Sequence, residues 1–283
     1  MSLLQLLIIS LIQGITEWLP ISSSGHVLLA ADYFALAGRD EYLINAMAHI
    51  GTLGAVLLYF WRDILRAIGG SGEVLAAPFR PGALSPSGRL ALHILASLPI
   101  ALIVMLTYEF LLADTVKQAM RSVWVVGATS IIFGLALWWA DAKGGQARTD
   151  GDRTIRDAII IGATQAIAAL LPGTSRSGIT MTMARALGFQ RTEAARFSML
   201  IGAPLLAAVG AYAFIKLAGT EEAAGIATLA DGLTVAGLSF VSGFLSIWAL
   251  MALLKKISFL PFVIYRVLLG IALLAGAPML GLI

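Results

Sequence analysis

Two stretches of the sequence carry most of its chemistry, and they carry it in the same order. Residues 13–26 read QGITEWLPISSSGH and residues 165–178 read QAIAALLPGTSRSG. Laid over one another without gaps, Gln13 falls on Gln165, Ile15 on Ile167, Leu19 on Leu171, Pro20 on Pro172 and Ser23 on Ser175. The copies differ where it matters chemically: the first holds a carboxylate and an imidazole, Glu17 and His26, and the second holds a guanidinium, Arg176. If the two stretches met, an acid, a base and an anion-binding group would stand together.

Gln13 and Glu17 are four residues apart and share one face of a helix. Glu17 sits in an apolar arm, where an ionisable side chain is costly and points to function; the structural alternative is a solvated helix end. A carboxylate there could hold a divalent metal or accept a proton. Ser22, Ser23 and Ser24 follow Pro20, and hydroxyls at those positions can cap a helix that restarts near Val27. Capping does not account for His26, which can act as general base, general acid or nucleophile. His49 and His93 have no such neighbours and read as structural or interfacial.

The second stretch ends in PGTSRSGIT, residues 172–180. Gly173 and Gly178 permit close backbone approach, while Thr174, Ser175, Ser177 and Thr180 offer hydroxyls. Arg176 offers a planar fork matched to phosphate oxygens, and a helix restarting near Ile179 would add free N–H groups. Together these describe an anion site, with phosphate the best fit. Arg176 could equally pair with a buried carboxylate such as Glu17, which would not exclude function. Arg266, inside the apolar run FLPFVIYRVLLG, could neutralise the same anion, snorkel, or pair with a carboxylate.

The elements that position these groups follow from composition. The chain has 283 residues, 59% hydrophobic and 12% charged, against about 25% charged in soluble domains. That predicts an all-α polytopic membrane protein; the long continuous apolar runs exclude the alternation of a β-barrel. Six stretches are long enough to cross a core of about 30 Å: 43–61, 90–111, 122–140, 197–217, 233–254 and 260–281. Two more, 3–31 and 157–184, are broken at Pro20 and Pro172 into arms too short to span, and read as re-entrant hairpins. The order is hairpin and three spans, then the same again, within a single membrane domain. The first repeat half is 1–140, the polar linker 141–156 and the second half 157–283. Three spans per half make the second half an inverted-topology repeat of the first. Ile50-Gly51-Thr52 and Ile201-Gly202-Ala203 echo the duplication.

Lys and Arg placement orients the chain. The linker side receives Arg62, Arg66, Arg80, Arg89, Lys143, Arg148, Arg153, Arg156, Arg185, Arg191, Arg196, Lys255 and Lys256. The opposite side receives Arg39, Lys117, Arg121 and Lys216, with Glu221, Glu222 and Asp231. The linker side is therefore expected to be cytoplasmic, with both termini outside. The N-terminal stretch lacks the marks of a signal peptide and reads as mature structure. The tryptophans read as interfacial anchors. The stretch 62–89, with Pro78, Pro81 and Pro86, reads as a loop containing an amphipathic helix. There are no cysteines, so no thiolate metal site exists, and nothing supports nucleic-acid binding.

These motifs resemble the signatures of the undecaprenyl-diphosphate phosphatase family, the bacitracin-resistance proteins. QGITEWLPISSSGH is similar to the first signature and LLPGTSRSGIT to the second, and AHIGTLGAVLLYFWRDI and FLPFVIYRVLLG extend the resemblance over nearly the whole chain. The resemblance implies a bacterial plasma-membrane enzyme that removes the terminal phosphate of C55 isoprenyl diphosphate. That reaction recycles the lipid carrier for cell-wall synthesis and confers bacitracin resistance. Catalysis would fall to Glu17, Ser23, His26 and Arg176, and diphosphate binding to Ser175, Arg176, Ser177 and Thr180. Gln13, Ser22 and Arg266 would support them. A divalent cation, Mg²⁺ or Ca²⁺, would be anchored by Glu17; many members carry Glu where this chain has Gln13. Ser23 activated by His26, His26 itself, or a water would attack the phosphorus. The partners expected are a polyprenyl diphosphate and the bilayer, with a homodimer as an open assembly. The rival class is a transporter or flippase of the lipid carrier or of a small anion, because inverted repeats serve transport equally well.

Overall fold

The computed structural model describes residues 1–23, 25–27, 34, 38–76, 84–219 and 227–276. The rest of the first hairpin's return arm, the end of the 260–281 stretch, Ser24, Pro78, Arg80, Pro81, Glu221 and Glu222 lie outside them, as do the side chains of Arg39 and Lys216. Thirteen α-helices make up the described chain. They are α1 (Leu3–Trp18), α2 (Gly38–Tyr59), α3 (Trp61–Ala76), α4 (Pro86–Ala96), α5 (Pro99–Leu111), α6 (Asp114–Met120) and α7 (Val123–Lys143). After a 3₁₀ turn at Asp150–Asp152 come α8 (Ile155–Ala163), α9 (Gln165–Leu170), α10 (Arg176–Ala186), α11 (Arg191–Gly219), α12 (Leu229–Leu253) and α13 (Leu260–Gly276).

Among the described residues, five helices are long and apolar enough to cross a membrane: Asp40–Tyr59, Pro86–Leu111, Val123–Lys143, Arg191–Ile215 and Leu229–Leu253. They match the first five of the six stretches expected from sequence. The sixth is represented by α13, which is apolar but shorter within the described residues. Polarity is distributed as lipid requires. Leu58, Ile103, Ile132, Trp138, Trp139, Ile215, Trp248 and Leu268 face outward, while Ser10, Gln13, Glu17, Ser130, Arg185, Ser198, Ser239 and Arg266 are buried. A water-soluble fold would reverse that assignment.

Helices in such an environment approach through small residues. α1 and α2 both lie against α12: a Cβ at Gly14 would stand 2.9 Å from the Gly243 nitrogen, and one at Gly51 2.9 Å from the Phe240 nitrogen. α7 and α13 meet through Gly127 and Gly270, where a Cβ on Gly270 would stand 2.6 Å from the Gly127 carbonyl. The largest buried cluster joins Trp18, Ala55, Phe60, Leu137, Met181, Phe197, Ile247 and Phe259, so residues from both sequence halves share one core.

Charged groups gather at the two ends. At one end Arg196 grips Asp63 (2.6 Å) and Asp150 (3.5 Å), and Arg185 (2.7 Å) and Arg191 (2.9 Å) share Asp141. Asp141 also accepts the Phe259 N–H at 3.1 Å, and α7 continues to Lys143, three residues past the expected span end. The linker is docked, not free: Arg153 is buried against Phe197, 3.8 Å from its centroid, and donates to His93 Nδ1 (3.2 Å). Burial lowers the Arg153 pKa below its usual value. Hydrogen bonds from the Thr149 N–H and hydroxyl hold Asp152 below the usual carboxylate range. At the other end the N-terminal amino group pairs with Asp231 (3.3 Å) and Arg121 with Glu41 (3.8 Å).

Candidate active site

The first tip is built by the end of α1. Leu19 leaves the helix in an extended conformation, Pro20 and Ile21 turn the chain, and Ser22 takes φ 75°. A non-glycine residue in the left-handed region costs of order 1–3 kcal/mol and persists only where the surroundings fix it. The Ser22 carbonyl accepts a 2.7 Å hydrogen bond from His26 Nδ1 and its hydroxyl accepts the Gly25 N–H at 3.4 Å. A carbonyl only accepts, so His26 Nδ1 carries the proton and the neutral ring keeps Nε2 as its basic atom. That atom meets the Tyr265 hydroxyl at 2.5 Å, the rings stacked with centroids 5.7 Å apart.

Ser23 is turned to Glu17. Its hydroxyl donates to Glu17 Oε2 at 2.7 Å. The same oxygen accepts from Gln13 Nε2 at 3.2 Å, as their spacing on α1 predicts. Arg176 Nη2 donates to Glu17 Oε1 at 3.2 Å. Glu17 thus joins the two stretches that the sequence sets far apart, and it is buried.

The second tip turns more sharply. Gly173 has φ 85° and Ser175 φ 67°, the latter as N-cap of α10 with its hydroxyl accepting the Gly178 N–H at 3.1 Å. Arg176 projects from the first turn of α10, its guanidinium 4.9 Å from the Trp18 ring centroid. Gly202 of α11 makes room for it, because a Cβ there would fall on Arg176 Nη1. Ser177 and Thr180 point elsewhere. The Ser177 hydroxyl donates to the Leu19 carbonyl at 2.9 Å and so ties α10 to the first tip. The Thr180 hydroxyl bonds the Arg176 and Ser177 carbonyls at 3.0 Å and Ser198 at 2.6 Å.

Arg266 resolves in a way that sequence did not offer. It is fully buried and, among the described residues, has no carboxylate partner. Its guanidinium donates to backbone carbonyls of Gly173 and Thr174 (2.9 Å each), Ser130 (3.2 Å), Pro20 (3.4 Å) and Thr129 (3.5 Å). Five carbonyl dipoles solvate the cation, and the side chain pins both tips to α7. Snorkelling and carboxylate pairing, two of the three expectations, are not what this geometry shows. Gly178 permits the fit, since a Cβ there would stand 2.9 Å from Arg266 Nη1.

A cavity of about 470 Å³ opens at the tips. Glu17, Ser23, Ser175, Arg176, His49 and Gln165 supply polar lining at the tips; Leu102, Met105, Leu106 and Phe110 of α5 and Leu205, Leu206 and Val209 of α11 supply a mainly apolar wall, into which Tyr108, Glu109 and Tyr212 bring polar groups. Of the residues expected from sequence, Glu17, Ser23, Ser175 and Arg176 meet on this cavity. Gln13 and Ser22 hold the first tip, Ser177, Thr180 and Arg266 hold the second, and His26 lies beside the first tip against Tyr265. His49, read from sequence as structural or interfacial, lines the cavity, with Nδ1 turned to the Asn45 carbonyl at 2.8 Å. Trp18 is not an interfacial anchor: it is fully buried under Arg176 and donates to the Thr52 carbonyl at 3.1 Å. Sequence reasoning also passed over Gln165, Gly202 and Tyr265. The first two stood in the repeat alignment; Tyr265 had no signal beyond lying next to Arg266.

Two carboxylates line the cavity, Glu17 at the tips and Glu109 on α5, and no group of three or more His, Asp or Glu side chains able to hold a metal exists among the described residues. The donor set suits a cation that arrives on a phosphate and needs few protein ligands, not a resident metal caged by protein.

Fold and site together define a multi-pass helical membrane protein that presents carboxylate, hydroxyl and guanidinium groups at the polar end of an apolar cavity. The chain belongs to the bacitracin resistance protein BacA family, whose model matches residues 6–272. It is 59% identical over 281 residues to an undecaprenyl-diphosphatase of Hyphomonas neptunium, covering 99% of each chain. Undecaprenyl-diphosphatases of Maricaulis maris (46% over 274 residues, 97% of this chain and 98% of the relative) and Jannaschia sp. (43% over 278 residues, 98% and 99%) are similarly related.

Proposed function

We propose that the protein hydrolyses undecaprenyl diphosphate to undecaprenyl phosphate and inorganic phosphate. This activity recycles the carrier for cell-wall synthesis and underlies bacitracin resistance. The observation that carries the reading is the Ser23–Glu17–Arg176 constellation, with bonds of 2.7 and 3.2 Å to the two carboxylate oxygens, at the polar end of an apolar cavity. A volume of about 470 Å³ suits a headgroup and the first isoprene units; the remaining tail would lie in the bilayer.

In the reaction we infer, the terminal phosphate binds Arg176, whose Nη1 is buried without a partner among the described residues, and Ser175. Ser23 Oγ attacks the terminal phosphorus as its proton passes to Glu17. The bond from phosphorus to the bridging oxygen breaks, and the lipid monophosphate leaves with that oxygen. Water then attacks the phosphoserine; Glu17 returns its proton to Ser23 Oγ, and the second water proton leaves with inorganic phosphate. Glu17 would hold a divalent cation, Mg²⁺ or Ca²⁺, that enters with the diphosphate and supplies charge neutralisation on its oxygens. The Ser23–Glu17 bond favours Ser23 over His26 as nucleophile, and His26 supports the tip through Ser22.

The finer architecture belongs to the same proposal. We take α1 with its tip, and α8 to α10 with theirs, as two re-entrant hairpins of an inverted repeat, with halves 1–140 and 157–283 joined by 141–156. α13 counts as the sixth span. The two charged ends support this, because Met1 pairs with Asp231 on the side that charge placement assigns to both termini. That side would be periplasmic and the membrane the bacterial inner membrane. Both tips come from one copy, so a homodimer would enclose two complete sites.

Phosphate release from a prenyl diphosphate by purified protein in detergent, with and without EDTA, tests the function. Release that stops in Ser23→Ala, with radiolabelled phosphate trapped on the wild-type serine, supports it. No release with any divalent metal would leave the transporter reading in its place, and full turnover by Ser23→Ala would remove Ser23 as nucleophile.

A further inference from the structure

The repeat leaves one polar side chain unexplained. Gln165 is 1% exposed and lines the cavity with Glu17, Ser23 and Arg176, yet neither atom of its amide has a hydrogen-bond partner among the described residues. Native proteins rarely bury an amide unsatisfied, and each case calls for an explanation. Its counterpart supplies one. In the first stretch Gln13 Nε2 donates at 3.2 Å to Glu17, four residues on. In the second stretch the residue four after Gln165 is Ala169, which also lines the cavity. The second copy has the amide without the carboxylate, so the donor has no partner on its own helix. Arg176, whose Nη1 is also buried without a partner among the described residues, lines the same cavity. Two unsatisfied donors, one of them cationic, fit an anion that brings its own oxygens.

We propose that Gln165 is a binding residue for the substrate diphosphate. Its Nε2 donates to a phosphate oxygen lodged where a carboxylate would stand if Ala169 were glutamate, and its Oε1 accepts from a water of the same headgroup. The inference rests on the phosphatase reading and adds to it a residue outside both signature clusters.

The test uses purified full-length protein, with farnesyl diphosphate as substrate, inorganic pyrophosphate as competing probe, and thermal unfolding as the stability readout. A hydrogen bond to a charged oxygen makes roughly a 10–100-fold difference. Gln165→Leu is expected to raise KM and the pyrophosphate inhibition constant together by that factor. Its melting temperature should equal or exceed that of the wild type, because an apolar isostere removes an unsatisfied amide. Ala169→Glu should supply the missing partner, fill the site and weaken pyrophosphate in the same way without loss of stability. Should Gln165→Leu not fold, Gln165→Met and Ala169→Glu carry the comparison. Wild-type KM and pyrophosphate inhibition in these variants would overturn the inference. So would a Gln165→Leu that melts well below wild type with KM unchanged, which marks a structural amide. If the wild type releases no phosphate, the phosphatase reading fails on its own; stabilisation by pyrophosphate, retained in wild type and lost in Gln165→Leu, would still establish the anion contact, and its equal presence in both would refute it.

Discussion

Arg266→Lys separates a clamp from a charge. In the structure the guanidinium reaches Gly173 and Thr174 carbonyls at 2.9 Å and three further carbonyls at 3.2–3.5 Å. A hydrogen bond to a charged group contributes about 1.5–3 kcal/mol, so losing the two short contacts costs about 3–6 kcal/mol. That is a large part of the roughly 5–15 kcal/mol that holds a typical fold together. Lysine keeps the charge but presents a point ammonium, not a planar fan of five donors. It should retain one carbonyl group and lose at least one short bond, about 1.5–3 kcal/mol. The second tip would then shift, and a displacement of about 1 Å at a reacting centre is worth around 100-fold in rate. Thermal unfolding in detergent together with kcat for phosphate release reads both effects, with Arg266→Gln as neutral control. Both variants should melt early and turn over at about 1% of wild type. If Arg266→Lys melts and turns over like wild type while Arg266→Gln does not, positive charge alone suffices and the clamp argument is refuted.

Three further outcomes follow from the same geometry. Gly202→Ala places a Cβ on Arg176 Nη1; the guanidinium must swing aside and the 3.2 Å bond to Glu17 is lost, so stability should fall by about 3–5 kcal/mol and kcat/KM roughly 10–100-fold, as thermal unfolding and steady-state phosphate release will show. Glu17→Gln leaves the Arg176 cation buried without its partner, so stability should drop by about 3–5 kcal/mol with activity abolished; the double variant Glu17→Gln/Arg176→Met should recover stability but not activity, and failure to recover would show that the pair is not coupled. EDTA should stop turnover without lowering the melting temperature, because the chain holds no metal cage among its described residues; a fall in melting temperature would contradict a cation that arrives with substrate.

Much of this was legible because the signals were local. Apolar run lengths placed five spans, and the Gln13–Glu17 spacing placed one hydrogen bond correctly. The internal wiring of the tips was not legible. The Ser23–Glu17 bond and the positive φ of Ser22 are properties of the folded turn that no letter pattern marks. His26 finds Tyr265, 239 positions away. Arg266 was open among anion, lipid interface and carboxylate because its real partners are backbone carbonyls, which every residue carries and no motif marks. The apolar cavity wall on α5 and α11 carried no signal of its own, since leucines that line a cavity and leucines that face acyl chains look alike in sequence.

The repeat explains why these gaps fall where they do. Equivalent positions kept their residue types and changed their tasks. Gly51 and Gly202 occupy matching echoes, yet the first lets α2 lie against α12 and the second clears space for a guanidinium. Gln13 is satisfied by Glu17, whereas Gln165 faces the space left by Ala169. A symmetric pair of tips would set two carboxylates or two arginines at the same cavity, and like charges at close range would repel one another. The first copy holds the acid, Glu17, and the second, with Ala169 at the matching position, holds the cation, Arg176, so the two tips meet as one ion pair, 3.2 Å across, on the cavity. Arg266 then carries the remaining requirement, since tips that no longer match each other in side chains are held instead through the carbonyls they still share.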